Sequence, residues 1–236
     1  MNIAFIPARG GSKGIHLKNV RNVAGVPLLQ HSLYTLENVK EIDLIVVATD
    51  SPEIRECAKV FGSTKMLIFD RDPANAQDDS GTEDVMLEYF GQHSYHSDDR
   101  IFLVQCTNPF LKEEHVKEAD LMMDHYDSVV TVTRDHRFVW EKGKGVANYD
   151  PLYRPRRQDW PGIYMENGAM YVCTIGGFHE HKCRLHGNIS TLVMEGKHTQ
   201  IEIDEMEDLI VAEALLRREG HRLAEVRKRS RSFYKD

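Results

Sequence analysis

The chain has 236 residues, of which 41% are hydrophobic and 28% charged, and its 30 Lys and Arg residues against 37 Asp and Glu residues give a net charge of −7. This composition excludes a disordered or fibrous chain and disfavours a nucleic-acid binder, which usually carries excess positive charge. No apolar run approaches the roughly 20 residues of a membrane span, and the apolar opening segment lacks the long core of a signal peptide. We therefore expect a cytoplasmic protein without membrane or nucleic-acid partners.

Apolar runs and helix-forming segments alternate along the first half of the chain. Strands are predicted at 2–6, 43–49, 66–69, 101–104 and 128–133, and helices from Pro27 onward and at 52–61, 81–90 and 112–125. The alternation predicts an α/β fold of three layers, in which helices cover both faces of a mostly parallel sheet. Ligands bind beyond the carboxyl ends of the strands in such sheets, so the candidate site walls are the loops that start at Pro7, Thr49, Gln105 and Thr133.

The alternation breaks between residues 139 and 184, where Arg, Tyr, Trp, Gly and Pro are frequent and only isolated strands such as 170–174 are predicted. Long irregular insertions in compact domains usually carry function or bind a partner. We therefore divide the chain into a main α/β domain, residues 1–138 and 188–236, and an insertion, residues 139–187.

A last strand and a last helix are predicted at 199–203 and 205–219, and the chain then becomes rich in Arg and Lys. Basic tails of this kind are more often solvated helix ends than nucleic-acid-binding arms. We interpret this basic tail, which contains Arg222, Arg227 and Arg231, as a solvated segment.

A basic, glycine-containing loop follows the first predicted strand. It has the sequence Arg9-Gly10-Gly11-Ser12-Lys13-Gly14 and is soon followed by Lys18-Asn19. Glycines let backbone N–H groups approach an anion closely, and Arg and Lys neutralise several negative charges, as a nucleoside triphosphate requires. The spacing matches neither a Walker A loop nor the GxGxxG dinucleotide pattern. A flexible, charged surface loop is the alternative interpretation.

Glu202 and Asp204 lie two residues apart on the last predicted strand, so their side chains are expected on the same face. Two neighbouring carboxylates repel each other and need a cation, and their hard oxygen atoms suit Mg²⁺ beside phosphates. In the alternative interpretation, Asp204 only caps the helix that follows it. The pair is therefore a candidate magnesium site.

Other candidate binding residues follow the fourth predicted strand or lie in the insertion. Gln105, Thr107 and Asn108 offer uncharged donors and acceptors that suit a base edge or sugar hydroxyls, although Asn-Pro also marks a turn. Arg154-Pro155-Arg156-Arg157 could bind a substrate carboxylate in bidentate fashion, or form a salt-bridged surface turn. The His and Cys residues at 179–186 could bind zinc, but no second half-site follows them.

Five motifs occur in order along the chain: ARGGSKGI with Lys18-Asn19, VATDS at 47–51, QCTNPF at 105–110, RPRRQDWPGIYMENGAMYV at 154–172 and IEIDEMEDL at 201–209. Together they resemble the cytidylyltransferases that activate sialic acids, the CMP-sialic acid synthetases or N-acylneuraminate cytidylyltransferases. The resemblance implies the nucleotide-diphospho-sugar transferase fold and a homodimer. It also implies transfer of CMP from CTP to a nine-carbon 2-keto acid sugar, with release of pyrophosphate and with Mg²⁺ as cofactor.

The same resemblance assigns roles to individual residues. The triphosphate and the nearby ribose would be held by Arg9, Ser12, Lys13, Lys18 and Asn19. Further nucleotide contacts would come from Arg71, Ser80, Thr82, Thr107 and Asn108, of which Thr82, Thr107 and Asn108 lie nearest the cytosine. The sugar site would contain Gln105, Arg157 and Tyr171, with Arg156 and Gln158 beside them. Asp204 matches a metal-binding aspartate, with Glu202 as its neighbour, and the catalytic residues would be Lys18, Arg157 and Asp204.

In this scheme the main domain binds the nucleotide and carries out catalysis, and the insertion serves dimerisation and the sugar site, so that Arg157 would reach the site of the neighbouring subunit. The chain departs from the family pattern at His16, Cys106 and Asn108, where Pro, Pro or Ala, and Ser are usual. Three alternatives are a synthetase for the eight-carbon sugar Kdo, a non-catalytic nucleotide-binding homologue, and a nucleic-acid-binding module that uses the basic tail. The presence of Lys13, Lys18 and Asp204 favours an enzyme.

Overall fold

The apolar runs of the chain fold into strands in the computed structural model, which describes residues 1–77 and 80–229. The strands are β1 (Asn2–Pro7), β2 (Asn22–Val23), β3 (Val26–Pro27), β4 (Leu44–Thr49), β5 (Met66–Asp70), β6 (Arg100–Val104), β7 (Ser128–Asp135), β8 (Trp140–Glu141), β9 (Gly145–Val146), β10 (Ile163–Thr174) and β11 (Ile189–Val193). The helices are α1 (Leu28–Glu37), α2 (Pro52–Phe61), α3 (Thr82–Gln92), α4 (Glu113–Met122), α5 (Ile175–His181), α6 (Met206–Arg218) and α7 (Gly220–Arg229). Short 3₁₀ turns lie at Lys18–Val20, Pro73–Ala76, Pro151–Tyr153 and Lys197–Gln200.

Among the described residues, seven strands form one sheet in the order β11-β7-β10-β6-β1-β4-β5. Strand β1 pairs in parallel with β4 and β6, and β11 pairs in parallel with β7, whereas β10 is antiparallel to both β6 and β7. The parallel strands β4, β1 and β6 end at the same edge of the sheet. The loops that follow them therefore meet there, as the sequence predicts.

Helices cover both faces of the sheet, and the central strands are apolar on both faces for that reason. Ala4 and Ile6 of β1 belong to an apolar cluster shared with α1, α2, α4, α6 and α7. Ile3 and Phe5, which point to the opposite face, belong to a second cluster shared with α3 and α5. The predicted three-layer α/β fold with a mostly parallel sheet is confirmed.

Local sequence signals place the ends of helix α2. The Ser51 hydroxyl accepts a hydrogen bond from the backbone N–H of Ile54 at 3.3 Å, and Pro52 occupies the first helical position. Gly62 ends the helix in the left-handed conformation with φ 71°. These features match the N-cap and C-cap preferences of each residue type.

The strand predicted at 199–203 is wrong. Residues 197–200 form a 3₁₀ turn, in which the Thr199 hydroxyl donates to the carbonyl oxygen atoms of Met194 and Gly196. The following residues are not assigned to a strand, and among the described residues one backbone bond, from Ile203 N–H to Thr107 O at 2.8 Å, ties them to the loop after β6. Ile203 is fully buried and Ile201 is partly buried, so two apolar residues two positions apart imitate a strand pattern.

The predicted insertion at 139–187 does not coincide with a structural unit. Its second half contains β10, which lies between β6 and β7 in the sheet, and β11 follows it as a strand that was not predicted. Its irregular parts are 139–162, which contain the β8–β9 hairpin and one 3₁₀ turn, and the stretch after α5. Gly168 has φ +64° within a register shift of β10, which explains why the sequence around it does not resemble a strand.

The basic tail is only partly solvated. Arg222 and Arg227 lie in α7, and both donate hydrogen bonds to backbone carbonyl oxygen atoms elsewhere in the fold. Arg231 lies outside the described residues. Within the described ranges, none of the helices is both long enough and apolar enough to traverse a lipid bilayer.

Candidate active site

A cleft of about 480 Å³ opens at the edge of the sheet where β1, β4 and β6 end. Its walls come from the basic loop, from the segment that follows β5, from the loop after β6 and from the segment that precedes α6. The predicted site residues among its lining residues are Arg9, Ser12, Lys13, Lys18, Asn19, Arg71, Ser80, Thr82, Gln105, Thr107, Glu202 and Asp204. The structure therefore brings together side chains from six separate stretches of the chain.

Two glycines let the basic loop approach its neighbours closely. A Cβ atom on Gly14 would lie 2.1 Å from the carbonyl oxygen of Asp204, and one on Gly10 would lie 2.9 Å from Cβ of Ser51. The backbone N–H of Gly10 donates to Oδ1 of Asp50 at 2.9 Å. The loop is thus fixed against the ends of β4 and the 202–205 segment, which does not fit the alternative of a loose surface loop.

Lys18 joins the basic loop region to the opposite wall of the cleft. Its Nζ lies 2.8 Å from Oδ1 of Asp204, and the lysine side chain is mostly buried while the carboxylate is mostly exposed. The neighbouring Asn19 is buried, and its side-chain amide donates to the carbonyl oxygen of Arg9 at 3.2 Å. Lys18 therefore supplies a fixed positive charge at the wall, and Asn19 fixes the start of the loop.

Glu202 lies on the same wall as Asp204, although no strand holds the two residues. Its Oε1 accepts a hydrogen bond from the Thr107 hydroxyl at 3.3 Å, and it lies so close to Gly168 that a Cβ atom there would be 2.6 Å away. Burial first, and then the nearby carboxylate of Asp204, raise the pKa of Glu202. A raised pKa means that the negative charge of Glu202 is poorly compensated by the protein alone.

These two carboxylates fit a magnesium ion. Their oxygen atoms are hard ligands on one wall of the cleft, and a cation there would relieve the repulsion between Glu202 and Asp204. Within the described ranges, no three His, Cys, Asp or Glu side chains are grouped so that they could hold a metal, and this includes the His and Cys residues at 179–186. Mg²⁺ commonly takes one or two carboxylates and completes its shell with water and substrate phosphates.

Arg71 is the cleft residue whose environment points most clearly to a ligand. The residue is only 6% exposed, and its buried Nε has no hydrogen-bond partner among the described residues. Burial lowers the pKa of its guanidinium group, as expected for a charge that is taken out of water. A buried donor without an acceptor is costly, so an anionic or carbonyl-bearing ligand would stabilise this side chain.

Asn108 and Tyr171 do not line the cleft. The Asn108 side-chain amide donates to the carbonyl oxygen atoms of Asn167 and Thr199, both at 2.9 Å, and its Oδ1 accepts from the backbone N–H of Phe110 at 3.1 Å. Asn108 is fully buried, so its polar atoms hold three chain segments together instead of facing a base. The assignment of Asn108 to cytosine is corrected accordingly.

Tyr171 is buried on β10, where its hydroxyl donates to Oε2 of Glu166 at 2.8 Å and the Arg184 guanidinium lies 4.5 Å from its ring centroid. Arg184 also pairs with Glu83, in the first turn of α3, at 3.4 Å. Tyr171 and its partners thus lie behind the wall that carries Thr82. The structure places Tyr171 near the site but not on its surface.

Arg156, Arg157 and Gln158 lie apart from the cleft in this single chain. All three are exposed, and Arg156 forms an ion pair with Asp159 at 2.7 Å. Arg157 lines a second cavity of about 620 Å³ beyond β7, with Arg134, Arg137 and Lys197 among its other lining residues. The predicted sugar-binding arginine is therefore separated from the predicted phosphate-binding residues.

Two residues that shape the site were not identified in the sequence. Asp50 accepts a hydrogen bond from Gly10 and so holds the basic loop. Its position directly after β4 could have identified it as a site residue, because that end of the strand faces the site. Arg184 lies beyond α5, and no motif in the sequence links it to Tyr171 or Glu83.

Known proteins resemble this chain both in sequence and in structure. The model of a family described as cytidylyltransferase matches residues 3–175. The N-acylneuraminate cytidylyltransferase of Oncorhynchus mykiss is 40% identical over 180 residues, which are 72% of this chain and 40% of the relative. N-acylneuraminate cytidylyltransferase B of Danio rerio is 34% identical over 227 residues, 92% of this chain and 52% of the relative. The chain thus spans about half the length of the curated relatives it matches.

Solved structures with low sequence identity share the fold. A CMP:2-keto-3-deoxy-manno-octonic acid synthetase complexed with CTP superposes with a TM-score of 0.67 at 18% identity, covering 92% of this chain and 99% of that one. A 4-diphosphocytidyl-2C-methyl-D-erythritol synthase from Anaerococcus prevotii gives a TM-score of 0.63 at 18% identity, covering 92% and 96%. The fold is therefore that of nucleotidyltransferases. Because the family model covers most of the residues from β1 to the end of β10, the chain belongs to the cytidylyltransferase family.

Proposed function

We propose that the chain is an enzyme that transfers the CMP group of CTP to a nine-carbon 2-keto acid sugar, giving the CMP-sugar and pyrophosphate. The single observation that carries this proposal is the cleft, in which Arg9, Lys13, Lys18 and Arg71 surround a space next to Glu202 and Asp204. Four cations beside two carboxylates suit a nucleoside triphosphate with a divalent ion. The relatives named N-acylneuraminate cytidylyltransferase support a sialic acid or a close analogue as the acceptor.

The basic loop would hold the triphosphate. Arg9, Ser12 and Lys13 line the cleft together with Lys18, so that charged and hydroxyl donors converge from one side. Because the loop is fixed by Asp50 and by the close approach of Gly14 to Asp204, these donors need little reorganisation when the anion binds. Preorganised donors of this kind stabilise charge that develops on a leaving pyrophosphate.

Glu202 and Asp204 would hold the cofactor Mg²⁺. A magnesium ion bound there would supply positive charge beside the phosphates. Lys18 keeps its ammonium group 2.8 Å from Asp204, which limits the movement of that carboxylate. The lysine and the aspartate would therefore act as one positioned pair in the reaction.

The acceptor sugar would lie beyond the nucleotide, near Gln105 and Thr107 at the end of β6. Its anomeric hydroxyl would attack the α-phosphorus in line with the departing pyrophosphate, so that one P–O bond forms as another breaks and the hydroxyl proton passes to water. The carboxylate of the sugar would be bound by an arginine through two parallel hydrogen bonds, and the sequence indicates Arg157 for this role.

Arg157 is compatible with this role only in a dimer, in which it would serve the neighbouring subunit. Large apolar side chains are exposed along the irregular segment and the start of β10, notably Trp140, Leu152, Tyr153 and Tyr164. Exposed apolar surface of this kind marks protein interfaces. We propose that a second copy of the chain covers it, and we expect Leu152→Asp to shift the sedimentation coefficient from dimer to monomer.

Pyrophosphate release from CTP tests the proposed activity directly. We expect turnover with N-acetylneuraminate, its non-acetylated analogue Kdn or a bacterial nine-carbon relative, and dependence of that turnover on Mg²⁺. Turnover with the eight-carbon acid Kdo alone would favour the Kdo synthetase alternative, which the solved structural relative represents. CTP binding without turnover on any acid sugar would favour the non-catalytic homologue.

The location of the protein stays a prediction. The cysteines of the described residues are all unpaired, and three of them are buried, as expected in a reducing compartment such as the cytoplasm. Fluorescence microscopy of a tagged chain in its own cell tests this prediction.

A further inference from the structure

Helix α7 contacts, through its arginines, the loop after β6 and the β2–β3 hairpin that follows Lys18–Val20. The cytidylyltransferase family model ends at residue 175, and α7 begins at Gly220, so no feature of that match explains this helix. Arg222 is partly buried and Arg227 is exposed, and both donate hydrogen bonds to groups that lie outside α7.

Arg222 is hydrogen-bonded to the loop that follows β6. Its Nη2 donates to the carbonyl oxygen of Leu111 at 2.8 Å and to the Thr35 hydroxyl at 3.0 Å, and its Nη1 donates to the carbonyl oxygen of Pro109 at 3.4 Å. The Thr35 hydroxyl itself donates to Leu111 O at 3.0 Å. The same loop carries Gln105 and Thr107 into the cleft, so Arg222 holds the far end of a cleft wall.

The same arginine is linked to the segment that carries Glu202 and Asp204. Its Nη1 lies 3.3 Å from Glu219, and the other oxygen of that carboxylate lies 3.7 Å from Nε2 of His198. The His198 ring packs edge-on against Phe110, with 5.2 Å between centroids. One guanidinium group thus touches the loop after β6 directly and is linked through Glu219 to His198, in the 3₁₀ turn that precedes Glu202.

Arg227 holds the β2–β3 hairpin, which lies next in the chain to the cleft residues Lys18 and Asn19. Its Nε and Nη2 both donate to the carbonyl oxygen of Ala24, at 2.9 and 2.5 Å. Ala24 has φ 55° in the tight turn of the β2–β3 hairpin, and the guanidinium lies 3.3 Å from the place of a Cβ atom on Gly25. This hairpin directly follows the 3₁₀ turn Lys18–Val20, which supplies the cleft lysine.

We propose that Arg222 and Arg227 are positioning residues of the cleft, which hold the loop after β6 and the Lys18 region at the separation that the reaction needs. The expected effect of these residues on turnover rests on the proposed function. Their expected effect on the mobility of the two loops does not depend on it. Arginine suits this role because one planar guanidinium can donate to several acceptors in fixed directions, which the single ammonium of lysine cannot reproduce.

Arg229 provides a matched control on the same helix. Like Arg227 it is exposed, and its guanidinium pairs with Glu37 at 3.6 Å and lies 5.6 Å from the Phe61 ring, so its contacts are with α1 and α2 and not with the loop after β6 or the β2–β3 hairpin. Each variant in the set Arg222→Gln, Arg227→Gln and Arg229→Gln removes one charge from α7. Arg222→Lys keeps the charge but loses the branched geometry.

The test combines hydrogen exchange with CTP binding and turnover, all below the unfolding temperature of each variant. We expect Arg222→Gln to speed amide exchange in residues 105–112, and Arg227→Gln to speed it in residues 21–26. Each should lower kcat/KM for CTP by about 10-fold or more, since small displacements of positioned groups are costly. Arg229→Gln should leave both readouts as in the parent chain, and Arg222→Lys should give intermediate values.

Unchanged exchange in both loops would overturn the inference, as would an equal loss of kcat/KM in Arg229→Gln, because both results would point to general stability alone. A parent chain without turnover would contradict the proposed function, and in that case the exchange rates and calorimetry of CTP binding still decide on the positioning role.

Discussion

Lys18 and Asp204 form an ion pair although 186 positions separate them in the chain. The aspartate carboxylate is 68% exposed towards the cleft, so the pair is not a buried structural bridge. Exposed ion pairs contribute little to folding stability. The value of this pair therefore lies in where it places two opposite charges beside a polyanionic substrate.

We expect Asp204→Asn to lower kcat for pyrophosphate release by about 100-fold or more, because it removes a charge needed for the metal and the transition state. The unfolding temperature should change little because the carboxylate is solvated. Glu207→Gln is the control, since this exposed residue lies in the first turn of α6 but does not line the cleft. An unchanged kcat in Asp204→Asn would contradict the role of Asp204.

A variant of Asn108 can show whether this residue has a structural role or binds the nucleotide. We expect Asn108→Leu to lower the free energy of unfolding by about 3 kcal/mol, because it leaves two buried carbonyl groups and one N–H group without partners. Urea unfolding measures this loss. Unchanged stability with a raised KM for CTP would instead support a direct contact with cytosine.

At the scale of elements, the glycines of the basic loop differ in what surrounds them. A Cβ atom on Gly14 would meet the backbone of Asp204 at 2.1 Å, whereas one on Gly11 would meet nothing within 4 Å. Several of the described glycines have a positive φ angle, but Gly11 and Gly14 do not. The two positions therefore differ in space and not in backbone strain.

We expect Gly14→Ala to push the basic loop away from the 202–205 segment and to raise the KM for CTP by about 10-fold or more. Gly11→Ala should keep the KM of the parent chain, since its methyl group enters open space. Steady-state kinetics on the two variants make the comparison. Similar KM values for both variants would show that the close approach of the loop is not needed for binding.

Helix α1 carries a histidine that has to stay neutral. His31 is buried, its Nε2 lies 3.0 Å from the carbonyl oxygen of Val23, and burial lowers the pKa of His31 to about 4. In the unfolded chain, a histidine has a pKa of about 6.5. Between these two values the unfolded chain binds a proton that the folded chain does not, so stability falls as the pH is lowered from 6.5 to 4.

We expect the free energy of unfolding to fall by about 2 kcal/mol through His31 alone between pH 7 and pH 5. His31→Gln should remove this part of the pH dependence, although the variant is less stable at both values. Urea titrations at the two pH values measure the difference. An identical pH dependence in the parent chain and in His31→Gln would contradict the neutral state of His31.

The elements were predictable where one physical pattern dominates. β1 and β4 are uninterrupted apolar runs, and α2 has a clear cap at each end. The pattern failed where tertiary contacts decide. The Thr199 hydroxyl closes a 3₁₀ turn where the sequence pattern predicts a strand. Strand β10 continues on both sides of Gly168, although the positive φ of this glycine is unusual within a strand.

At the scale of the molecule, the sequence predicts the cleft better than it predicts the path of each segment around it. Lys13, Lys18, Glu202 and Asp204 meet because the loops at the strand ends share one edge of the sheet. Asn108 and Arg157 could not be placed from sequence. The position of Asn108 depends on three buried backbone partners, and that of Arg157 depends on a segment packed beyond β7.

The most direct test of the account is a crystal structure of the chain with CTP and Mg²⁺. We expect phosphate oxygen atoms within about 3 Å of the Lys13 and Lys18 ammonium groups, with the metal bound between the phosphates and Asp204. A nucleotide bound outside this cleft, with Asp204 still paired only to Lys18, would contradict the central claim.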